Sequence, residues 1–494
     1  MKHFLTKCLL TFLATGISLG VCSSNVTAQY NGVLVANAPV TSAYEPAVQV
    51  AASQGYYAAD AVDLESRISN LESQLKKKQD KPDPQKGFTR VIDGRLYFDS
   101  YSIHQKGSDT GTSSLNTLQN YNGIRDLRIG VKGEGFGILD YKLDLCFIEG
   151  TGASGNRSGV NIKDAWLGIK NVPLLEYVRI GHYRIEEGVS VLTGGTNTTF
   201  LEFDGRDFAT GRRIGISSRH LWAKDQIRFF AGFFYNENLA QNKRYLNRDN
   251  QGSITNLRLT FLSNVSRKEG KIDGKRFCLF GGNYSYFDAN KTSPTTYANS
   301  SFSERFATVD QYVLATYSIP TNGYHKFGLE FASQNGPFAV QSEAYVNHYN
   351  AVKIGTTTKD RTIFGSYITV RYFLTGDYRK FSAENASWGA VDVKHNLNLQ
   401  KRSDSNFAER LGAWEIAAKW GYAETSQLFG LATGDKVLFA GSVNDFTLGL
   451  NWYWSPQARW LFDYIHVVPS EIQATKSRDH SDTDIFAASF RYNF

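Results

Sequence analysis

The chain has 494 residues, a net charge of +7, 14% aromatic residues, 44 glycines, ten prolines and a mean hydropathy of −0.35. So low a hydropathy excludes a bundle of membrane-spanning helices but not a membrane barrel, which needs an apolar side chain only at every second position. The positive charge is dispersed and no recognition motif occurs, which argues against nucleic-acid binding.

Lys2 and Lys7, the apolar run Cys8 to Cys22 and the small-residue site Val26-Thr27-Ala28 predict a secretory signal over 1–28. No later run of eighteen apolar residues predicts a membrane helix. Residues 29–60 lack a period and read as a flexible linker. Ala61, Leu64, Ile68, Leu71 and Leu75 then alternate steps of three and four, which predicts a short coiled-coil helix over 61–80, ended by Pro82 and Pro84. Leu64, Ile68, Leu71 and Leu75 would form the seam of an oligomerisation stem, with a solvated amphipathic helix as the alternative. Cys146 and Cys278 are the cysteines beyond the signal. They could pair across a long loop or serve as small apolar wall residues. No metal-ligand spacing occurs and no cofactor is implied.

From Phe88 to Phe494 the period is two. Segments of nine to thirteen residues alternate apolar and polar between polar or Gly-rich turns. The predicted strands centre on Leu96, Ile129, Leu143, Leu167, Ile180, Ile216, Phe230, Leu259, Gly281, Leu329, Ser342, Val370, Ile416, Leu448, Phe462 and Phe490. Tyr312 to Ile319 is assigned to a long loop. The fold class expected is all-β: a transmembrane antiparallel β-barrel of about sixteen strands over 88–494, preceded by the short coiled-coil helix. The last segment carries the clearest sidedness. Phe486, Ala488, Phe490, Tyr492 and Phe494 share one face; Ala487, Ser489, Arg491 and Asn493 share the other. Phe490, Tyr492 and the terminal Phe494 resemble the signal read by the outer-membrane barrel-assembly machinery. An outer-membrane location, in contact with its lipid, follows.

Elsewhere Trp460, Phe462 and Tyr464 oppose Arg459 and Asp463, and Trp414, Ile416 and Trp420 oppose Glu415 and Lys419. Facing lipid at mid-depth, an Arg or Lys would cost about 2–4 kcal/mol, so the charged face should line an aqueous lumen. Alternation places Arg128, Lys132, Arg179, Arg213, Arg228, Arg371, Lys419 and Arg459 inward, with Arg491, beside the acids Asp144, Asp164, Glu415 and Asp463. A ring of cations lowers the barrier for anions. The same residues could instead pair with the acids and leave the lumen balanced, and the sequence leaves both open. Small anionic or otherwise hydrophilic solutes are the expected partners. No G-x-S-x-G or H-E-x-x-H run occurs, and His182 reads as a wall histidine, so an enzyme is not expected.

Several segments resemble the phosphate-selective porin O and P family. They are Ile124 to Gly130, Lys163-Asp164-Ala165-Trp166, Val178 to Tyr183, Thr199-Phe200-Leu201-Glu202, Phe373 to Gly376, Gly412 to Glu415 and Leu450 to Tyr453, in the family's order. The resemblance implies a sixteen-stranded barrel assembled as a homotrimer. It also implies that the 26 residues from Glu186 to Gly211 fold inward to constrict the pore, with Phe200, Glu202, Arg206 and Asp207 as constriction residues. The family's lysine cluster and basic ladder do not match position by position.

Overall fold

The computed structural model describes residues 87–105, 120–149, 160–202, 204–205, 208–235, 252–288, 297–302, 315–398, 411–428, 439–474 and 482–494. The signal, linker and stem segments lie outside these residues, as do Arg206 and Asp207. In chain order the elements are β1 (Val91–Gln105), β2 (Tyr121–Gly135), β3 (Leu139–Glu149), β4 (Asn161–Val172), β5 (Glu176–Arg184), the one-turn helix α1 (Val189–Leu192), β6 (Arg212–Trp222), β7 (Ile227–Tyr235), β8 (Ser253–Ser263), β9 (Arg267–Lys268) and β10 (Lys271–Ile272). They continue with β11 (Arg276–Asp288), β12 (Tyr297–Phe302), β13 (Ala315–Pro320), β14 (Gly323–Asn335), β15 (Phe338–Ile354), β16 (Thr357–Phe373), β17 (Tyr378–Ser382), β18 (Ser387–Asp392), β19 (Ala413–Glu424), β20 (Phe439–Tyr453), β21 (Ala458–Ala474) and β22 (Thr483–Asn493).

Sixteen of these strands form one closed barrel, and the remaining six pair locally as β9–β10, β12–β13 and β17–β18. All sixteen predicted strand centres fall in barrel strands. Of the segment assigned to a long loop, residues 312–314 lie outside the described residues and Ala315 to Ile319 fall in β13, which pairs with β12 in the connection from β11 to β14. Closure joins β1 to β22 with Phe98 opposite Phe490. Gly94 and Phe494 then exchange backbone hydrogen bonds of 2.9 and 3.0 Å, so the last residue completes the ladder.

Side chains on the two faces behave as in a membrane barrel. Phe98, Ile129, Leu143, Leu167, Ile180, Ile216, Leu259, Phe327, Leu329, Ile416, Leu448 and Phe462 point outward and are exposed. Trp222, Tyr372, Trp414, Trp452, Trp460 and Tyr492 sit on the same face toward the short-turn rim. They form an aromatic girdle, where rings can touch hydrocarbon and water together. Inside, Arg128, Asp144, Arg228, Arg258, Glu330, Glu343, Arg371, Glu415, Asp463 and Arg491 are buried. Apolar outside and ionic inside is the reverse of a soluble barrel.

Candidate functional site: the barrel lumen

Two chain segments enter the lumen from opposite rims. The first, residues 185–211, connects β5 to β6. Its path follows the arginines and carboxylates that hold it. Glu186 lies 2.5 Å from Arg228 on β7 and 3.6 Å from Arg258 on β8. Glu187 takes Lys326 of β14 at 3.0 Å, and its backbone carbonyl accepts from Asn283 of β11. Ser190 donates its N–H and hydroxyl to Glu343 of β15. Further along, Arg371 of β16 donates to the Thr199 hydroxyl, Asn451 of β20 donates to the Thr199 carbonyl, and Asp463 of β21 accepts the Leu201 N–H at 2.8 Å. Arg491 of β22 donates to the carbonyls of Gly195 and Leu201 and to the Thr198 hydroxyl. Arg125 of β2 closes the run on Leu201 and Glu202, each at 2.6 Å.

A segment so tethered runs against the wall from β7 round to β22 and touches β2 at Arg125. Two wall glycines make room for its rings. A Cβ at Gly365 would sit 2.0 Å from the Phe208 ring, and one at Gly449 would sit 2.8 Å from the Phe200 ring. Phe208 also stacks on Tyr345 with centroids 5.6 Å apart and planes 7° from parallel. Gly205, at φ 68, threads between Tyr345 and Tyr367 where a side chain would be both strained and crowded.

The second segment has no counterpart among the sequence expectations. Between Phe373 and Ala413 the chain forms the β17–β18 hairpin, which enters from the short-turn rim. Phe381, Ala386 and Trp388 of this hairpin are buried in one cluster with the inward-facing Leu262, Phe277, Leu279, Ala332 and Ala339, and with Val189 of the first segment. Phe381 and Trp388 lie 4.2 and 5.2 Å from the Phe277 ring. The tip is gripped by three arginines. Arg228 and Arg258 donate to the Glu384, Asn385 and Ala386 carbonyls, and Arg219 pairs with the Glu384 carboxylate. At its base, Arg379 forms a two-pronged pair with Glu415 and reaches the Asn197 carbonyl of the first segment. Burial opposes the Arg379 charge, but Glu415 and Tyr453 outweigh it and hold its pKa above the ordinary guanidinium value. The signals were present in the sequence. The gap between the strands centred on Val370 and Ile416 exceeds a plain turn, and Leu262, Phe277 and Leu279 are apolar at inward parity.

The rest of the wall, from β1 to the start of β6, is different. Across β1, β2, β3, β4 and the start of β6 runs a belt of alternating charge. Arg95 and Arg128 each lie 2.7 Å from Asp126; Arg128 and Lys142 flank Asp144 at 3.6 and 3.9 Å; Lys142 and Arg212 flank Asp164 at 3.2 and 2.8 Å. Every acid bridges two cations, and both ends of the belt are cationic. Lys142, Arg212 and Arg95 expose 28%, 17% and 16% of their side chains, against 0–2% for Arg258, Arg228, Arg371 and Arg379. These three belt cations are therefore more open to the lumen than the four arginines that hold the two segments.

The other predicted residues are placed as follows. Lys132 sits near the short-turn rim, 51% exposed and 2.7 Å from Asp93. Arg179 lies 4.2 Å from the Trp166 ring and donates to the Tyr177 hydroxyl. Arg213 donates to the Arg212 carbonyl. Lys419 pairs with Asp445 at 3.1 Å, with the Phe200 ring 5.9 Å away. Arg459 donates to the Tyr453 hydroxyl. Phe490 and Tyr492 are on the outer face, and Phe494 continues it. Cys146 faces inward on β3 and Cys278 outward on β11, so the two do not pair. Among the described residues no group of His, Cys, Asp and Glu is arranged to hold a metal ion.

Residues 105–494 match the model of the family described as phosphate-selective porin O and P. The chain belongs to this family. It is an outer-membrane porin, and its barrel is a channel scaffold. By the convention of such barrels the short turns face the periplasm and the long connections the exterior. The β5–β6 segment thus enters from outside and the hairpin from the periplasm. Among solved structures the porin is similar to the outer-membrane protein OmpT of Vibrio cholerae in its trimer form (13% identity, 83% of this chain and 100% of that chain, TM-score 0.44). It is also similar to the channel DcaP of Acinetobacter baumannii (8% identity, 83% and 98%, TM-score 0.46) and to OprB of Pseudomonas putida (8%, 83% and 94%, TM-score 0.46). A search of curated proteins finds no matching relative.

Proposed function

We propose that this porin is a narrow, passive channel for small hydrophilic solutes with a modest preference for anions, inorganic phosphate among them. The observation that carries this reading is the belt. Its cations outnumber its acids and occupy both ends, so an anion moving along it meets guanidinium groups at each margin. Arg suits this role because it keeps its proton and presents a planar fork to phosphate or carboxylate. The preference is modest because each belt cation already has a carboxylate neighbour, and an ion bound tightly would not leave. That same pairing favours the second reading, unspecific diffusion through a charge-balanced wall. Reversal potentials in planar bilayers under a potassium chloride gradient separate the two. A chloride-directed potential, with conductance lowered by added phosphate, is expected; a potential directed toward potassium would end the anion reading.

The assembly we propose is a homotrimer. Ser100 and Asn122 face outward on β1 and β2, exposed and hydrogen-bonded to each other at 2.5 Å, in a cross-strand row that continues through Ala488, Phe462 and Leu450. Lipid cannot partner their remaining polar atoms, whereas a neighbouring subunit can. Native electrophoresis with and without Asn122→Leu tests this, a loss of trimer being the expected result.

A further inference from the structure

In a barrel whose lumen were wet all round, every inward position would meet water. Leu262, Phe277, Leu279, Ala332 and Ala339 face inward on β8, β11, β14 and β15, yet each is at most 2% exposed. What covers them is the periplasmic hairpin, through Phe381, Ala386 and Trp388. The hairpin is also fastened to the external segment. The backbone N–H of Trp388 reaches the Thr193 hydroxyl, Arg379 reaches the Asn197 carbonyl, and Val189 packs in the same apolar cluster. Two inserts entering from opposite rims thus form one continuous partition.

We propose that the periplasmic hairpin is a selectivity element of the channel: it keeps the β8–β15 side of the lumen dry and forces every permeating solute past the charged belt on β1–β6. This rests on the channel reading above and goes beyond it, because it assigns selectivity to a turn that touches no belt residue. The apolar wall explains why a cover is stable there: its burial against Phe381 and Trp388 is favourable at about 25 cal/mol per Å² of apolar surface. The bound tip explains why the cover stays in place. Arg219, Arg228 and Arg258 hold it through charged hydrogen bonds, which are roughly twice as strong as neutral ones.

The test is thiol accessibility in the assembled channel. In a background with Cys146 and Cys278 replaced by Ser, single cysteines are introduced as Ala339→Cys under the hairpin and Lys142→Cys in the belt. Each is exposed to an anionic methanethiosulfonate reagent during bilayer recording. Current through Lys142→Cys should fall, and current through Ala339→Cys should not. A second variant replaces residues 378–392 with a short Gly-Ser turn. That stretch holds Arg379, Lys380, Glu384 and Asp392, so its removal leaves the net charge unchanged. Conductance should then rise by about twofold or more, as expected for a widened lumen, and Ala339→Cys should become blockable. Block of Ala339→Cys with the hairpin intact overturns the inference, and so does a hairpin-less channel with the parent's conductance. Absence of current from the parent protein would instead overturn the channel reading, and this inference with it.

Discussion

Ser190 of the inward-folded β5–β6 segment donates both its backbone N–H, at 3.1 Å, and its hydroxyl, at 2.5 Å, to the Glu343 carboxylate. Tyr345 and Tyr367 donate to the same carboxylate at 2.6 Å each. Glu343 is therefore the point where the wall grips the turn of α1, and Gly188 fits beside it because a side chain there would strike its carboxylate. Glu343→Ala should leave several donors buried and unmatched at about 1–3 kcal/mol each. The segment should loosen, the open channel should become noisier, and its mean conductance should rise. Glu343→Gln, which keeps an acceptor, should lie between wild type and Ala. Single-channel recording checks the order; equal conductance in all three would show that the carboxylate does not hold the constriction.

The socket for Phe208 gives an independent handle on the same segment. The space over Gly365 is filled by the Phe208 ring, so Gly365→Val forces either the ring or the strand to move. The ring belongs to a loop and the strand to a closed ladder, so the ring should yield. We expect a folded barrel, still shifting with heat on a denaturing gel, with raised conductance. Gly365→Val combined with Phe208→Ala should regain stability while the conductance stays high.

How much of this was legible beforehand follows from what period-two alternation can carry. Ile129, Leu143, Ile416 and Phe462 give away their strands because lipid on one face and ions on the other impose a strict pattern. Alternation also assigns Arg128, Arg228, Arg371 and Arg459 to the inside. It says nothing of what each meets there. Arg371 and Arg228 are spent on Thr199, Glu186 and the Glu384 carbonyl, while Arg128 joins the belt. Arg95 and Arg212 complete the belt, and alternation does not single them out. Arg95 lies near the start of the first strand. Arg212 stands at the edge of the β5–β6 segment beside Gly211, at φ 84, where alternation gives no guide. The hairpin escaped because its cause is non-local: Phe277 and Trp388 declare a shared core only once β11 and β18 are side by side.

Belt substitutions should change ion preference with a sign set by the pairing. Asp126→Asn leaves Arg95 and Arg128 without their shared carboxylate, so chloride should be favoured more strongly. Arg212→Gln removes the nearer of the two belt cations that flank Asp164, so the preference should fall or reverse. Reversal potentials decide, and their salt dependence is a second check. Both shifts should shrink in concentrated salt, since the Debye length falls from about 10 Å at 0.1 M to 3 Å at 1 M. Shifts of the same sign for the two variants would mean that the belt does not set the preference.

Sidedness itself can be tested with one pair of substitutions on one strand. Leu448 and Thr447 are neighbours on β20: Leu448 is 59% exposed on the outer face, and Thr447 is 1% exposed toward the lumen. At Leu448→Lys the ammonium would have to sit in hydrocarbon or snorkel to the interface, at about 2–4 kcal/mol near the midplane. At Thr447→Ser the lumen-side hydroxyl is kept and a methyl lost, which should cost far less. Refolding into lipid vesicles over a denaturant series should show Leu448→Lys destabilised by that amount, with channel properties unchanged in whatever fraction inserts. Equal tolerance at the two positions would mean that the band of Leu, Ile and Phe on the barrel exterior does not face lipid.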